Sequence, residues 1–415
     1  MIKIDFYPTN KFKTTLLCIR LIAPFSVETI NDRALIPQIL ASGTKKYRSK
    51  AGLSRRLDFL YGTSFSVFTA KIGFQSVIHF QIQFPSEVFL PEQESISFEV
   101  IDLLKEIIFN PMIKNGHFAK TVVDEEVRLL IENFESEYND KNEFAFQQFK
   151  KAMFQGELYS HRSKGDLATL NQVSPQSLWN SYQSMIHEDE IHVSVVGMFD
   201  QKAIESHLSL AFPFGNQLQV EQWIDTQTKT IASPIRITEQ NSVKQAKIFL
   251  GFRTHYRYDD IEHPSMVVFN TLFGESDQSK LFRIIREEQH LCYYVSSSYD
   301  SNKGFLFVSM GVEPGKELQA IDHVTDVLKR IQNGEISEDE LNFAKVSQNR
   351  RIRQKDDSIV SLSASDFYYR QVHHLPYDTL TILEQLEAVS KEKVVQAAKS
   401  LVLDTLYTLT KKDLL

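Results

Sequence analysis

Hydrophobic residues recur along the chain with the periods typical of strands and of helices. The same order of predicted strands and helices occurs in both halves of the sequence. In the first half an apolar run at 14–22 predicts a strand, and residues 34–40 and 53–61 have the spacing of amphipathic helices. Residues 64–84 alternate at period two, which predicts β-structure. The second half repeats this order with a strand at 246–252, helices at 266–273 and 279–288, and a strand pair at 293–298 and 304–312.

The C-terminal part of each half also has the same order of predicted elements. A helical apolar stripe comes next in both halves, at 96–107 and at 318–331, and a long charged helical region follows each stripe. Each half then closes with a helix that begins at a serine, Ser174 or Ser390, and with a final strand. The chain therefore reads as a tandem duplication.

Residues 214–234 lack this periodicity and are rich in Gln and Thr, which predicts a linker. We place an N-terminal domain at 1–213 and a C-terminal domain at 235–415. Each half has the order strand, helices, antiparallel strands, helices, strand, which predicts the α+β fold class with two homologous α/β-sandwich halves.

Composition and charge restrict the function classes. The 415 residues are 42% hydrophobic and 24% charged, as in an ordinary globular protein. The net charge of −7 gives no overall positive field, so neither nucleic acid nor a membrane is an expected partner. There is no signal-like apolar segment near the N-terminus and no run of about 18 apolar residues, and Cys18 and Cys292 have apolar neighbours. We expect buried, reduced thiols and a cytoplasmic location.

Common catalytic motifs are not found in the sequence. It has no G-x-S-x-G elbow, and neither cysteine has a spacing that indicates a histidine partner. The glycine-containing segments 43–46 and 274–280 do not have P-loop spacing. The histidines of 187–192 span a predicted helix end and strand start, so a solvated loop is favoured over a metal site.

Residues 34–49 resemble the N-terminal signature of the insulinase/pitrilysin-like zinc peptidases, the inverzincins. In that family H-x-x-E-H stands just ahead of a stretch like Gly43–Tyr47; its two histidines bind zinc and its glutamate activates water. Alignment on this stretch puts the three positions at Ala34, Pro37 and Gln38. Alanine has no donor atom, proline cannot act as a base, and a neutral amide is a poor zinc ligand.

Residues 125–132 resemble the family's downstream helix, whose later glutamate is a zinc ligand, and Glu132 holds that position. One carboxylate without the two histidines does not hold zinc. The resemblance therefore implies a degenerate zinc motif, and we expect no metal or other cofactor on this chain.

The most specific resemblance lies in the second half. Residues 279–299 (SKLFRIIREEQHLCYYVSSSY) resemble the family stretch S-R-L-F-x-x-I-R-E-x-x-x-L-x-Y-x-V-x-S-x-Y. In the family an arginine and a tyrosine contact the substrate near the zinc, and Arg286 and Tyr293 hold those positions. His290 departs from the family, which commonly has glycine there.

The resemblance implies a division of labour. In some bacterial members one chain carries H-x-x-E-H and a similar chain keeps only the Arg/Tyr pair, and the two chains form one peptidase that accepts peptides or small modified proteins. This sequence has the profile of the second chain, so zinc is expected only on the partner. Gram-positive relatives of this kind are named for association with elongation factor P modification, which is a narrower role.

Two other functions remain open. One is a catalytically dead structural or binding protein like the family's core proteins. The other is a self-contained peptidase, which the degenerate motif disfavours.

Overall fold

The computed structural model describes residues 3–91, 95–212 and 220–412, which form two compact units. Unit 1 consists of Met1–Phe134, His161–Trp223 and Asp356–Tyr377. Unit 2 consists of Glu135–Ser160, Ile224–Lys355 and Asp378–Leu415. Each unit thus includes one segment from the other half of the sequence.

The strands of the described residues form a five-stranded sheet in each unit and one short hairpin. They are β1 (Lys3–Pro8), β2 (Thr14–Pro24), β3 (Ser64–Ile72), β4 (Gln75–Pro85), β5 (Ile113–Lys114), β6 (His117–Phe118), β7 (Glu190–Gly197), β8 (Ile235–Asn241), β9 (Ala246–Arg253), β10 (Cys292–Asp300), β11 (Phe305–Val312) and β12 (Val402–Lys411).

The two large sheets have the same topology. Unit 1 has the order β1-β7-β2-β4-β3, and unit 2 has the order β8-β12-β9-β11-β10. In each sheet the first strand pairs in parallel with the last strand, and the other pairs are antiparallel. The predicted α+β fold class with two homologous α/β-sandwich halves is confirmed.

Helices cover the sheets, and irregular helical turns follow some of them. The helices are α1 (Ile30–Ser42), α2 (Lys50–Phe59), α3 (Ile96–Phe109), α4 (Lys120–Asn139), α5 (Lys141–Met153), α6 (Pro175–Glu188), α7 (Gln201–Ala211), α8 (His263–Asn270), α9 (Glu317–Gln332), α10 (Glu338–Asp356), α11 (Ile359–His373), α12 (Thr379–Glu387) and α13 (Lys391–Lys399). Short 3₁₀ turns lie at Glu87–Phe89, Leu158–Ser160 and Leu170–Gln172, and π-helical segments lie at Thr271–Glu275 and Phe282–Glu288. The helix predicted at 266–273 is therefore an α-helix that continues into a π-helical turn.

In unit 1, β2 is buried on both faces, which explains its nearly continuous apolar sequence. Leu17, Ile19 and Leu21 join the main core with apolar residues of α1 and α3. The alternate residues include Arg20, which lies under Phe367 of α11. Thus α11 covers the second face of the unit 1 sheet, although it follows unit 2 residues in the sequence.

In unit 2 the helix at the corresponding place is α5, and it packs on the sheet through aromatic side chains. The ring of Phe149 stacks on Phe249 of β9 at 5.4 Å between centroids. The helix α5 can approach β9 closely because β9 has Gly251. An added Cβ there would lie 2.7 Å from the Phe149 ring and 2.5 Å from the Met153 sulfur.

The predicted linker falls where the chain passes between the units. Pro213 and the linker residues 214–219 lie outside the described residues. Trp223 is the last residue of its unit 1 segment, and Ile224 begins a unit 2 segment. The boundaries at 213 and 235 stay predictions. Cys18 and Cys292 are free and buried, as expected. No helix of the described ranges is long and apolar enough to span a bilayer.

Candidate functional site

The three degenerate zinc-motif positions lie together on α1. Pro37 is inside the helix and is buried. Since proline has no backbone N–H, it leaves the carbonyl of Arg33, four residues earlier, without its helical donor. The hydroxyl of Thr69 on β3 donates a 2.6 Å hydrogen bond to that carbonyl. The helix therefore continues to Ser42 although it contains a proline.

Gln38, at the second histidine position, also contacts β3. Its side-chain amide donates a 3.4 Å hydrogen bond to the carbonyl of Val67. Because β3 is an edge strand of its sheet, this carbonyl gains a partner from a side chain. Pro37 and Gln38 are thus part of the attachment of α1 to the edge strand.

Ala34, at the first histidine position, lies beside a tight backbone turn. Gly165 has φ +102°, and an added Cβ there would lie 2.8 Å from the Asn31 side-chain oxygen and 3.7 Å from the Ala34 Cβ. Asn31 fixes this turn, because its side chain accepts a 2.7 Å hydrogen bond from the Asp166 N–H and donates one of 3.1 Å to the Asp166 carbonyl.

Glu132 lies on α4, where its side chain is 54% exposed and pairs with Arg128 of the same helix. Arg128 also binds Glu125 at 2.8 Å. Within the described ranges, no group of three or more His, Cys, Asp or Glu residues is placed to hold a metal ion. The donor atoms at these positions do not fit the zinc site of the family, and we derive no step through a metal on this chain.

Arg286 lies in the π-helical segment Phe282–Glu288. Wide backbone hydrogen bonds mark this segment, from the Gln289 N–H to the Ile284 carbonyl at 3.0 Å and from the Leu291 N–H to the Ile285 carbonyl at 3.0 Å. Such π-helical turns are rare and are frequent at functional sites. The Arg286 side chain is exposed, and its guanidinium lies 4.7 Å from the Phe282 ring centroid.

A left-handed turn connects this segment to β10. His290 has φ +50°, in the region that glycine adopts without strain. This is the position where the resembling family commonly has glycine, so His290 adopts the backbone conformation that glycine favours. The following residue, Leu291, is buried.

Tyr293 is the extra residue of a β-bulge. Cys292 pairs with Val312 and Tyr294 with Gly311, so the register shifts between them and Tyr293 has no opposite residue. Bulges at sheet edges redirect side chains, and Tyr293 is 60% exposed on the edge strand β10.

Cys292, which lies between Arg286 and Tyr293 in the sequence, is buried. Burial raises the pKa of the Cys292 thiol to about 11, and the positive charge of Arg286 opposes that shift. The thiol is therefore a protonated core group and not a nucleophile. The exposed chemistry of this region consists of a guanidinium and a phenol, both hydrogen-bond donors.

Sequence reasoning identified the positions on α1 but missed their partners. Thr69 and Gly165 are distant in sequence from α1, and no local pattern connects them to Pro37 or Ala34. The left-handed turn at His290 could be inferred from the sequence, because the resembling family commonly has glycine at that position.

Comparisons with known proteins agree with this description. Residues 172–347 match the family described as Peptidase M16 inactive domain. YmfF of Bacillus subtilis (strain 168), a probable inactive metalloprotease, is 30% identical over 415 residues, which cover 97% of this chain and 94% of the relative. YmxG of the same organism, an uncharacterized zinc protease, is 22% identical over 327 residues and 72% of each chain.

Solved structures show the same fold. A conserved protein from Enterococcus faecalis V583 superposes with a TM-score of 0.93 at 26% identity, covering 99% of this chain and 97% of that one. A peptidase M16 inactive domain from Pseudomonas fluorescens gives a TM-score of 0.77 at 16% identity, covering 99% and 96% of the two chains.

Proposed function

Because this chain belongs to the insulinase-like M16 peptidase family as an inactive member, we propose that it is the non-catalytic subunit of a heterodimeric zinc-dependent peptidase. Its partner would be a similar chain with an intact H-x-x-E-H motif. That partner would supply the metal and the general base, and this chain would supply Arg286 and Tyr293.

The observation that carries the proposal is the exposure of Arg286 and Tyr293 on two adjoining irregular elements. Tyr293 gains little from burial, since it is 60% exposed, and the bulge that holds it leaves it unpaired in the ladder. A guanidinium and a phenol can both donate hydrogen bonds to a peptide carbonyl. Donors placed where negative charge develops on that oxygen stabilise the transition state of peptide cleavage.

The edge strand β10 supports a peptide as the class of substrate. Its outer edge has backbone groups that are not paired within the sheet. An extended peptide can add to such an edge through main-chain hydrogen bonds. Tyr293 lies near the start of this strand, so a peptide paired with β10 would pass the phenol. Peptides or small modified proteins with an extended segment meet this requirement.

A second function, a structural or binding protein without any part in catalysis, has its own supporting observation. Pro37 and Gln38 are used to join α1 to β3, so the positions of the degenerate motif contribute to structure. In that case Arg286 and Tyr293 would have no effect on any peptide cleavage.

The test is reconstitution with an H-x-x-E-H chain encoded by the same organism. We expect the two chains to elute together in gel filtration and to cleave peptides only as a mixture. A partner whose motif glutamate is replaced by glutamine is the matched control, because it should assemble without cleaving. Failure to associate with every such chain, or full activity of the partner alone, would contradict the proposal.

A further inference from the structure

A row of basic side chains crosses the unit 1 sheet on the face that α11 covers. Arg20 on β2 lies directly opposite His79 of β4 and directly opposite His192 of β7. Lys3 of β1 lies opposite His192. Arg20 and His192 are fully buried, and His79 is 5% exposed. Like charges directly opposite one another in a sheet are destabilising, so this row is stable only while the histidines are neutral.

The buried polar atoms of this row are only partly paired within the described residues. Arg20 donates hydrogen bonds to the hydroxyls of Ser194 at 2.5 Å and Ser363 at 3.3 Å, but its Nε has no partner. Neither ring nitrogen of His79 has one. His192 bonds through Nε2 to the Asp5 carboxylate at 2.7 Å and leaves Nδ1 unpaired.

Both imidazoles are held in the neutral form. Burial, together with the charge of Arg20, lowers the pKa of His79 to about 3. Burial also lowers the pKa of His192 to about 4, although the hydrogen bond to Asp5 opposes this. The ordinary value for both is 6.5.

Polar and cation–π contacts hold α11 over this row. The ring of Phe367 lies 4.1 Å from the Arg20 guanidinium and 4.8 Å from the His192 ring. The side-chain oxygen of Gln371 accepts a 3.2 Å hydrogen bond from Lys3. Apolar contacts with Ile22 of β2 and Val77 of β4 add to these. The equivalent helix of unit 2, α5, packs on its sheet through stacked aromatic rings.

The charged and titratable groups that act on the two histidines or on Arg20 come from β1, β2 and α11, and the neighbour of His79 on β3 is the uncharged ring of Phe68, which stacks on it. The set comprises Lys3 and Asp5 of β1, Cys18 and Arg20 of β2, and Asp366 and Arg370 of α11. Three of these side chains are cations and two are carboxylates. Two further positive charges would leave the face with five cations against two anions.

We propose that α11 is a proton-sensitive latch, which acidification releases from the sheet of unit 1 while the opposite face of that sheet stays packed. When α11 detaches, water reaches His79 and His192, and each can take up a proton. The direction follows from linkage: the open state binds more protons than the closed state, so falling pH favours opening. Below pH 6.5, each histidine should raise the opening equilibrium about tenfold per pH unit.

Amide hydrogen exchange of the isolated chain tests the latch. Between about pH 7.5 and about pH 5.5, and after correction for the chemical exchange rate, the opening equilibrium of α11 amides should rise about 100-fold. Amides of α3, which packs on the other face of the same sheet, should keep their protection. The two helices losing protection together would mean ordinary acid unfolding and would overturn the proposal.

Glutamine substitutions of the two histidines, made singly and together, show which side chains take up the protons. His79→Gln and His192→Gln should each reduce the pH response to about tenfold, and the double variant should show none. His187→Gln, an exposed histidine of α6, is the matched control and should respond like the unchanged chain. A double variant that keeps the full response would overturn the proposal.

Trp223 supplies an independent readout. It is 3% exposed and lies 5.5 Å from the Phe367 ring in an edge-on contact. In a Trp179→Phe variant it is the sole tryptophan, since the chain has two. Its emission should shift to the red at a higher pH than Trp179 emission does in a Trp223→Phe variant. Coincident transitions would contradict the latch. No peptidase activity enters either test, so they stand apart from the proposed function.

Discussion

The hydroxyl of Thr69 donates a 2.6 Å hydrogen bond to the backbone carbonyl of Arg33, the carbonyl that Pro37 deprives of its helical donor. In catalytic relatives that the N-terminal signature resembles, the residue at position 37 would be the general base. Here the same position is a proline whose structural consequence is repaired by the neighbouring edge strand. The position that lacks the general base is therefore also a position where α1 is attached to β3.

This link predicts a stability cycle. Thr69→Val should lower the free energy of unfolding by about 1–3 kcal/mol, because it leaves the carbonyl unsatisfied. Adding Pro37→Ala should recover much of that loss, since alanine restores the helical N–H. Thr69→Ser keeps the hydroxyl and is the control. Urea unfolding is measured for Thr69→Val, for Pro37→Ala, for the double variant and for Thr69→Ser. Additive effects in the double variant would show that the two residues are not coupled.

A second prediction concerns a buried ion pair at the start of α1. The Arg33 guanidinium binds the Asp189 carboxylate at 2.8 Å, and both side chains are less than a tenth exposed. Arg33→Ala should cost about 3–5 kcal/mol, because it leaves a carboxylate buried without its cation. Arg128→Ala, in an exposed pair on α4, should leave the unfolding free energy nearly unchanged.

The pH dependence of that variant has a definite sign. Burial raises the pKa of Asp189, and Arg33 opposes the shift, so removing Arg33 should raise the pKa further. The folded state then binds more protons than the unfolded state at mildly acid pH, and stability rises as the pH falls through the folded pKa toward the unfolded pKa. Arg33→Ala should therefore be less destabilising at about pH 5 than at about pH 7. An equal loss at both values would contradict this reasoning.

The fold was largely predictable because each strand and helix keeps its own hydrophobic period. Both sheets contain their predicted strands, for example β2 over the run at 14–22 and β9 over the run at 246–252. The position of α11 was not predictable from that pattern. The side chains that it turns toward the sheet include Ser363 and Gln371, so its buried face has no simple apolar stripe.

The site was predictable to a lesser degree. Motif spacing located Ala34, Pro37 and Gln38 on one helix, and the structure has them on α1. Spacing along the chain does not show which distant residues contact a position, so the hydrogen bonds from Thr69 to the Arg33 carbonyl and from Gln38 to the Val67 carbonyl came only from the structure. The roles of Arg286 and Tyr293 stay predictions.

A third prediction tests the close contact of α5 with its sheet. Gly251→Ala should destabilise the protein by about 1–3 kcal/mol, because the new methyl group would overlap the Phe149 ring. Gly52→Ala is the matched control: the nearest atom to its Cβ would be at 3.4 Å, and the residue lies in α2. That change should add about 0.5–1 kcal/mol through helix propensity. Denaturant midpoints of the two variants give the comparison.

A fourth prediction concerns zinc. Elemental analysis of the purified chain should give far less than one zinc per molecule, because Ala34, Pro37 and Gln38 offer neither ligands nor a base. One zinc per molecule of the unchanged chain, with peptide cleavage that a chelator abolishes, would show that the motif positions were misassigned.

The final prediction tests Tyr293 and Arg286 in the reconstituted pair, and Tyr293 is taken first. Tyr293→Phe deletes only a hydroxyl from an exposed ring, so assembly and thermal stability should change little. If that hydroxyl donates to the scissile carbonyl oxygen in the transition state, turnover should fall by about 10²–10³, as for loss of one oxyanion donor. Tyr138→Phe, at another exposed tyrosine, is the control and should keep full turnover.

Arg286→Ala separates binding from catalysis at the same place. A guanidinium can hold a substrate carbonyl or carboxylate in the ground state as well as in the transition state. The variant should therefore raise KM as well as lower kcat, whereas Tyr293→Phe should act on kcat alone. Steady-state cleavage by the mixed chains, with assembly checked by gel filtration, distinguishes the two patterns. Unchanged kinetics in both variants would mean that the pair has no part in catalysis, and the structural or binding function would then explain the exposed residues better.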